Sequence, residues 1–236
     1  MKIVTIFSGG MDSTTLLYQA LSEGAEVHAL SFNYGQKHKK ELEKAKELCL
    51  ELGVIHHVVD ISSAKSLLVS ALTSNAEVPE GHYAEDNMRQ TVVPNRNAIM
   101  LSIAYGYAVS IKADKLYFGA HSGDHFVYPD CRPEFAGALN TALRIGNEGF
   151  ADVSLLAPFN KMSKTDIARR GFELKVPFER TWSCYRGEER PCLKCGTCVE
   201  RTEAFLDNDK QDPLLTDNEW RDAVNYLNNV KEGLKE

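Results

Sequence analysis

KIVTIFSGGMDSTTLLYQAL, residues 2–21, joins a short apolar run to an amphipathic one through two glycines, an aspartate and several hydroxyls. Ile3, Val4, Ile6 and Phe7 form an apolar, β-branched run ending at turn residues, which predicts a buried strand over 2–7. Leu16, Leu17, Ala20 and Leu21 recur at helical spacing, so a helix is expected from about 13 to 22, with Asp12 or Ser13 as its N-cap. The corner between them aims free backbone N–H groups and the positive end of a helix dipole at one spot, where a phosphate is stabilised. Gly9 and Gly10 let the backbone approach such a group without a Cβ in the way, and Ser8, Ser13 and Thr14 add hydroxyl donors on the same rim. No lysine follows the glycines at Walker A spacing and the G-x-G-x-x-G fingerprint is missing, which excludes both of those phosphate loops.

Outward from this corner, strand and helix signals alternate. Residues 26–34 read as a second strand, and 37–52 as a helix with Leu42, Ala45, Leu48 and Leu52 on one face and Gly53 as C-cap. A third strand follows at 54–61. This βαβαβ opening predicts an α/β fold with a doubly wound, mainly parallel sheet, which binds ligands beyond the carboxyl ends of its strands. Residues 73–95 lack periodicity and form a long loop of the length associated with function. A strong helix is expected at 95–111, capped by Asn95 or Asn97, with Ile99, Met100, Ile103, Ala104 and Tyr107 towards the core. Further strands are expected at 115–120 and 153–159, with helices at 132–147, 163–170 and from about 217.

The 236 residues are ample for a sizeable core, and they read as a single domain over 1–236 that includes a cysteine-rich segment, 180–205, and a helical tail, 206–236. No apolar run reaches membrane-spanning length and Met1 leads directly into a strand, so a cytoplasmic protein with neither signal peptide nor anchor is expected. A net charge of −6 argues against a large nucleic-acid interface. The densest cationic run, QKHKKELEKAKE at 36–47, interleaves Glu41, Glu43 and Glu47 and reads as a solvated helix face.

Cys184, Cys192, Cys195 and Cys198 are spaced C-x7-C-x2-C-x2-C. Tight turns aim thiolates at this spacing towards one point, which predicts a structural Zn2+ site; four sulfur ligands leave no open position for water. Cys49 falls on the apolar face of a helix and is expected in the core, whereas Cys131, in YPDCRPEF, reads as a small buried residue or a reactive thiol.

Ser8-Gly9-Gly10-Met11-Asp12-Ser13 is similar to the SGGxDS signature of the PP-loop ATPases, which cleave ATP to AMP and pyrophosphate. Together with VPNRN (93–97), YPDCRPEF (128–135) and the four cysteines, the chain resembles, almost end to end, the 7-cyano-7-deazaguanine synthase family, QueC. The resemblance implies a HUP-like, Rossmann-type PP-loop fold and an ATP-dependent ligase that turns 7-carboxy-7-deazaguanine and ammonia into the nitrile. Its cofactors would be ATP, Mg2+ and structural Zn2+, and its state a homodimer. The resemblance implies that residues 8–14 (Ser8, Gly9, Gly10, Met11, Asp12, Ser13 and Thr14) bind ATP, and that Asp12, Ser13, Arg96 and Lys164 are catalytic. Lys164, in KMSKTDIARRG, matches the family's lysine after the fifth strand, and Asp166 is expected to cap or orient the helix it opens. Asp124, Tyr128, Asp130, Arg132 and Asn97 are the candidates for contacting the deazaguanine, with Asn97 equally readable as an N-cap.

The run Ser122-Gly123-Asp124-His125-Phe126-Val127 departs from the family's Glu-Thr-Asp-Phe-Ser-Gly, although Asp124 keeps its place. QueC-like relatives of antiphage systems join a deazaguanine to a protein amine, and that departure leaves a protein acceptor open as an alternative to ammonia. A tRNA-modifying PP-loop enzyme would carry a basic RNA-binding arm, which this acidic chain lacks.

Overall fold

Every strand of the sheet runs parallel to its neighbours, and a helix precedes each strand after the first. The computed structural model describes residues 1–36, 40–74, 76–83 and 85–233, so positions 37–39, where the cationic run and the second helix were expected to begin, lie outside the described residues. The strands are β1 (Lys2–Ile6), β2 (Glu26–Asn33), β3 (Ile55–Asp60), β4 (Lys115–Tyr117) and β5 (Ser154–Leu156). They pair in the order β3-β2-β1-β4-β5, all parallel. The helices are α1 (Met11–Ser22), α2 (Lys40–Leu52), α3 (Arg96–Ser110), α4 (Pro133–Gly146), α5 (Lys164–Glu173), α6 (Gly196–Leu206) and α7 (Asp217–Gly233).

Side chains alternate across a strand, so an apolar run with no polar face must be covered on both sides. In β1 and the residue after it, Ile3 and Phe7 enter a layer with Leu16, Leu17, Ala45, Leu48 and Ile167, from α1, α2 and α5. Val4 turns to the other face, against Met100, Leu101, Ala104, Tyr105 and Ala108 of α3 and Ala136 of α4. The order reverses at β1, which has β2 on one side and β4 on the other, and this opens a crevice at the carboxyl ends of the strands. A third cluster joins Leu72, just before the long loop, and Val78 and Val93 within it to Trp182 and the cysteine segment. Among the described residues no helix is long and apolar enough to cross a membrane.

Several expectations are corrected. α1 starts at Met11 with Gly10 in the N-cap position and no side-chain cap, so Asp12 and Ser13 stand inside the first turn. The buried face of α3 is set by Leu101, Tyr105 and Ala108 with Met100 and Ala104, while Ile103 is 37% exposed; this apolar helix offers more than one plausible face, and contact with the sheet selects it. Cys49 is buried beside Ala45 and Leu48, as expected. Ahead of the cysteine segment, Phe178–Arg180 is a 3-10 turn, and Arg201 donates to the Phe178 carbonyl at 2.9 Å and the Thr181 hydroxyl at 2.7 Å. α6 was not anticipated, because it begins inside the cysteine motif.

Candidate active site

The corner after β1 folds back on itself through its own hydroxyls. Ser8 N–H donates to Ser13 Oγ at 3.2 Å, the two serine oxygens lie 3.0 Å apart, and Gly10 N–H donates to Ser8 Oγ at 3.2 Å. Gly9 has φ of +84°, and a Cβ there would meet the Glu41 carbonyl oxygen at 2.4 Å. Its glycine is therefore demanded by the close approach of α2 as well as by the turn. Thr14 is fully buried, and its hydroxyl donates to the Gly10 carbonyl at 2.8 Å, so it is not on the rim. Met11 borders the cavity and belongs to a buried cluster with Phe178 and Phe205.

The loop faces a cleft of two lobes. A lobe of about 260 Å³ extends past the end of β2, along Phe32, Tyr34 and Leu42, and reaches Lys164 and Glu200. One of about 200 Å³ runs beneath Phe118, Gly119 and Ala120 to Cys131. Ser8, Gly10, Asp12, Arg96, Asp124 and Tyr128 border both. The long loop contributes Tyr83 and Met88 to the wall; its backbone is tied to the cysteine segment by a Glu80–Cys195 bridge and by Gly81 N–H donating to the Lys194 carbonyl at 3.1 Å.

A buried charge cluster closes one end. Lys164 Nζ lies 2.6 Å from Asp12 Oδ2 and 3.1 Å from Glu200 Oε2, while His121 Nε2 is 3.5 Å from Asp124 Oδ2 and 3.8 Å from Glu200 Oε1. Burial alone would push the Asp12 carboxyl up, but Lys164 beside it outweighs this and holds it below the ordinary carboxylate value. Burial would likewise lower Lys164, yet Asp12 and Glu200 hold its ammonium above the ordinary lysine value. Asp12 Oδ1 is buried with no hydrogen-bond partner. Lys164 is the first residue of α5, where a cation opposes the helix dipole. Ser163 and Asp166 offset that conflict with a reciprocal cap: Ser163 N–H donates to Asp166 Oδ2 at 2.9 Å and Asp166 N–H to Ser163 Oγ at 3.2 Å.

Arg96 opens α3 on the facing wall, its guanidinium 5.6 Å from the centre of the Tyr34 ring. Burial alone would lower it, and the phenols of Tyr34, Tyr185 and Tyr128 act against that, holding it above its ordinary value. Tyr128 Oη is fixed 2.6 Å from Thr91 Oγ1. Asn97 does not cap α3 with its side chain; its Nδ2 donates to the Asp130 carbonyl at 3.3 Å and to Cys131 Sγ at 3.2 Å. The cap comes from Asp130, whose Oδ2 accepts the Asn97 N–H at 3.1 Å. Arg132 Nε donates to the His125 carbonyl at 2.9 Å, bracing the turn that carries Asp124. Asp130 and Arg132 border neither lobe, so the structure gives them neighbouring backbone as partners. Cys131 is buried, which pushes its thiol up, away from reactivity.

His121 and Glu200 escaped the sequence reading. His121 stands before an irregular turn, and Glu200 looks like one more surface glutamate of a charged helix; only the packing of α6 against α5 brings it to Lys164. Beside it, Arg201 makes a buried double contact with Asp212 at 2.6 and 2.9 Å, which holds α6 in place.

The sulfur atoms of Cys184, Cys192, Cys195 and Cys198 all lie within 4.8 Å of one another, with Cys192 and Cys198 at 4.0 Å. Tetrahedral zinc thiolates, with bonds of about 2.3 Å, need sulfur separations of about 3.8 Å. The donor set therefore fits zinc with no ligand position left over.

The model of the family described as queuosine biosynthesis protein QueC matches residues 2–209. The chain is 55% identical to the 7-cyano-7-deazaguanine synthase of Pseudoalteromonas atlantica over 90% of its own length and 97% of that protein. It is 53% identical to the synthase of Archaeoglobus fulgidus, over 98% of this chain and 97% of that one. With the synthase of Methanoregula boonei the identity is 51%, over 91% and 98%. A match that spans residues 2–209, from the glycine loop past both lobes to the end of the cysteine segment, leaves one conclusion: the chain belongs to the QueC family.

Proposed function

We propose that the protein is an ATP-dependent carbon–nitrogen ligase that converts 7-carboxy-7-deazaguanine and ammonia into 7-cyano-7-deazaguanine, in keeping with the name its relatives carry. The observation that carries this reading is the SGGMDS loop bordering two adjoining lobes, room for a nucleotide and a second flat ligand with the loop between them. A carboxylate is a poor electrophile, so it must be activated. One of its oxygens attacks the α-phosphorus of ATP, and pyrophosphate leaves towards the N–H groups at the start of α1. Ammonia then attacks the acyl carbon, AMP departs with the carboxyl oxygen, and the surplus proton passes to solvent. The amide oxygen repeats the attack on a second ATP; the nitrogen gives up one proton at that stage and the other as AMP leaves, forming the nitrile.

In this reading Lys164 and Arg96 offset charge that develops on the phosphates and carboxylate, and Ser8, Gly10, Asp12 and Ser13 orient the nucleotide. Asp124 and Tyr128 are suited to the polar edge and the face of the deazaguanine, while Asn97, Asp130 and Arg132 act by holding that wall. Mg2+ fits at Asp12, whose buried Oδ1 is an unshared hard oxygen donor, and when bound it would offset phosphate charge. Four cysteines gathered as a thiolate set for a metal, with Cys49 and Cys131 buried singly, support a reducing, cytoplasmic compartment. The exposed Ile145, Phe150 and Leu156 support self-association into a homodimer.

The test supplies purified protein with ATP and the 7-carboxy compound, with and without ammonium, and follows AMP, pyrophosphate and product mass. Nitrile formed only with ammonium is expected. Adenylation without nitrile release, or transfer to a protein amine, would overturn the reading.

A further inference from the structure

We propose that Arg96 recognises the acid substrate in particular: its guanidinium takes the carboxylate of the 7-carboxy compound, whereas the neutral amide of the second activation is held largely without it. The inference rests on the two-stage reading above and assigns one of its stages to one side chain.

Among the described residues two cations, Lys164 and Arg96, border the larger lobe. Lys164 is already committed to two carboxylates, Asp12 at 2.6 Å and Glu200 at 3.1 Å. The groups that act on the Arg96 charge are the phenols of Tyr34, whose ring centre is 5.6 Å away, Tyr185 and Tyr128, with the Cys131 thiol, and among the described residues no carboxylate forms an ion pair with it. A guanidinium set among neutral groups loses hydration that a ring face only partly replaces. An incoming carboxylate restores it through two parallel N–H···O bonds, for which the planar fork is shaped. An amide offers a single acceptor oxygen and no charge. The end of α3 is not the anion holder, since the Arg96 N–H donates to the Val93 carbonyl at 3.2 Å and the Asn97 N–H to Asp130 at 3.1 Å. Arg96 also borders both lobes beside Ser8, Gly10 and Asp12, where the carboxyl group must meet the α-phosphorus.

If Arg96 instead held the phosphates of ATP, both activations would need it equally, and this separates the two cases. Wild type, Arg96→Gln and Arg96→Lys are compared for pyrophosphate release with the acid plus ammonium and with the preformed amide. In Arg96→Gln, kcat/KM for the acid should fall by about 100-fold or more, and for the amide by less than about 10-fold. Arg96→Lys, which keeps the charge and the fold but not the fork, should recover part of the acid rate. Calorimetry without ATP should show acid binding lost and amide binding kept in the glutamine variant. Equal losses on the two substrates, or unchanged acid binding, overturn the proposal. A wild type that activates neither compound would instead overturn the two-stage reading, and titration of the acid against wild type and variants still decides the role of Arg96.

Discussion

Replacing Lys164 by methionine keeps the length of the side chain and removes its charge, leaving Asp12 and Glu200 without the ammonium they share. In the wild type the lysine is 11% exposed, Asp12 23% and Glu200 9%, so solvent screens the cluster only weakly. Removing one member of a buried ion pair costs about 3–5 kcal/mol, and the partial exposure of Asp12 puts the expected loss near the lower end, about 3 kcal/mol. For a chain of this size that is a drop in Tm of about 6–12 °C. The loss should also depend on pH, with a definite sign. In the wild type Asp12 is held below its unfolded value, so it contributes stability above pH ~4 that is lost as pH falls through its lower folded value. Without Lys164, burial dominates and pushes Asp12 above its unfolded value. The variant then suffers most at neutral pH, and protonation of Asp12 narrows the gap as the pH falls. Urea unfolding of both proteins at pH 7.5 and pH 5 measures this, and Lys164→Met with Glu200→Gln should recover part of the loss. Turnover should fall about 100-fold to 1000-fold if Lys164 offsets phosphate charge. A penalty that is the same at both pH values, or absent at pH 7.5, would refute the electrostatic account of the cluster.

Gly9→Ala should destabilise the protein by ~1–3 kcal/mol or more, because its φ of +84° and the Glu41 carbonyl 2.4 Å from the new Cβ both oppose it. Gly10→Ala, whose Cβ would sit 3.2 Å from Ser8 Oγ and 3.4 Å from the Trp182 carbonyl, should melt closer to wild type; the two melting curves, compared directly, check the order. Cys195→Ser should lower zinc content and thermal stability together, since thiolate binding of zinc is coupled to folding, and elemental analysis beside melting tests it. A fully active, metal-free protein would remove the site. Light scattering at micromolar concentration should give the mass of a dimer, and substitution of exposed Phe150 by aspartate should shift it towards a monomer.

The opening residues determined much of this protein by themselves. An apolar run with no polar face has to lie in a sheet covered on both sides, and a Gly-Gly turn into a helix has to present N–H groups at a strand end; both are local consequences of residue type. The four cysteines were equally legible, because metal ligands at short spacing carry their geometry in the spacing, and Ser163 with Asp166 declared the start of α5. Tertiary structure alone decided what the polar residues do. Asp130 accepts the Asn97 N–H and so caps α3, Thr14 looked like rim and is buried, and Gly9 answers to α2 as well as to the loop. Glu200 and His121 gave no signal, since a glutamate on a charged helix and a histidine before an irregular turn are ordinary in sequence. They acquire a role only where α5, α6 and the turn after β4 converge on Lys164. The physical reason is range: backbone preference and hydrophobic period act over a few residues, whereas a charge in a site is defined by partners brought from 36 and 152 positions away, the separations of Glu200 and Asp12 from Lys164.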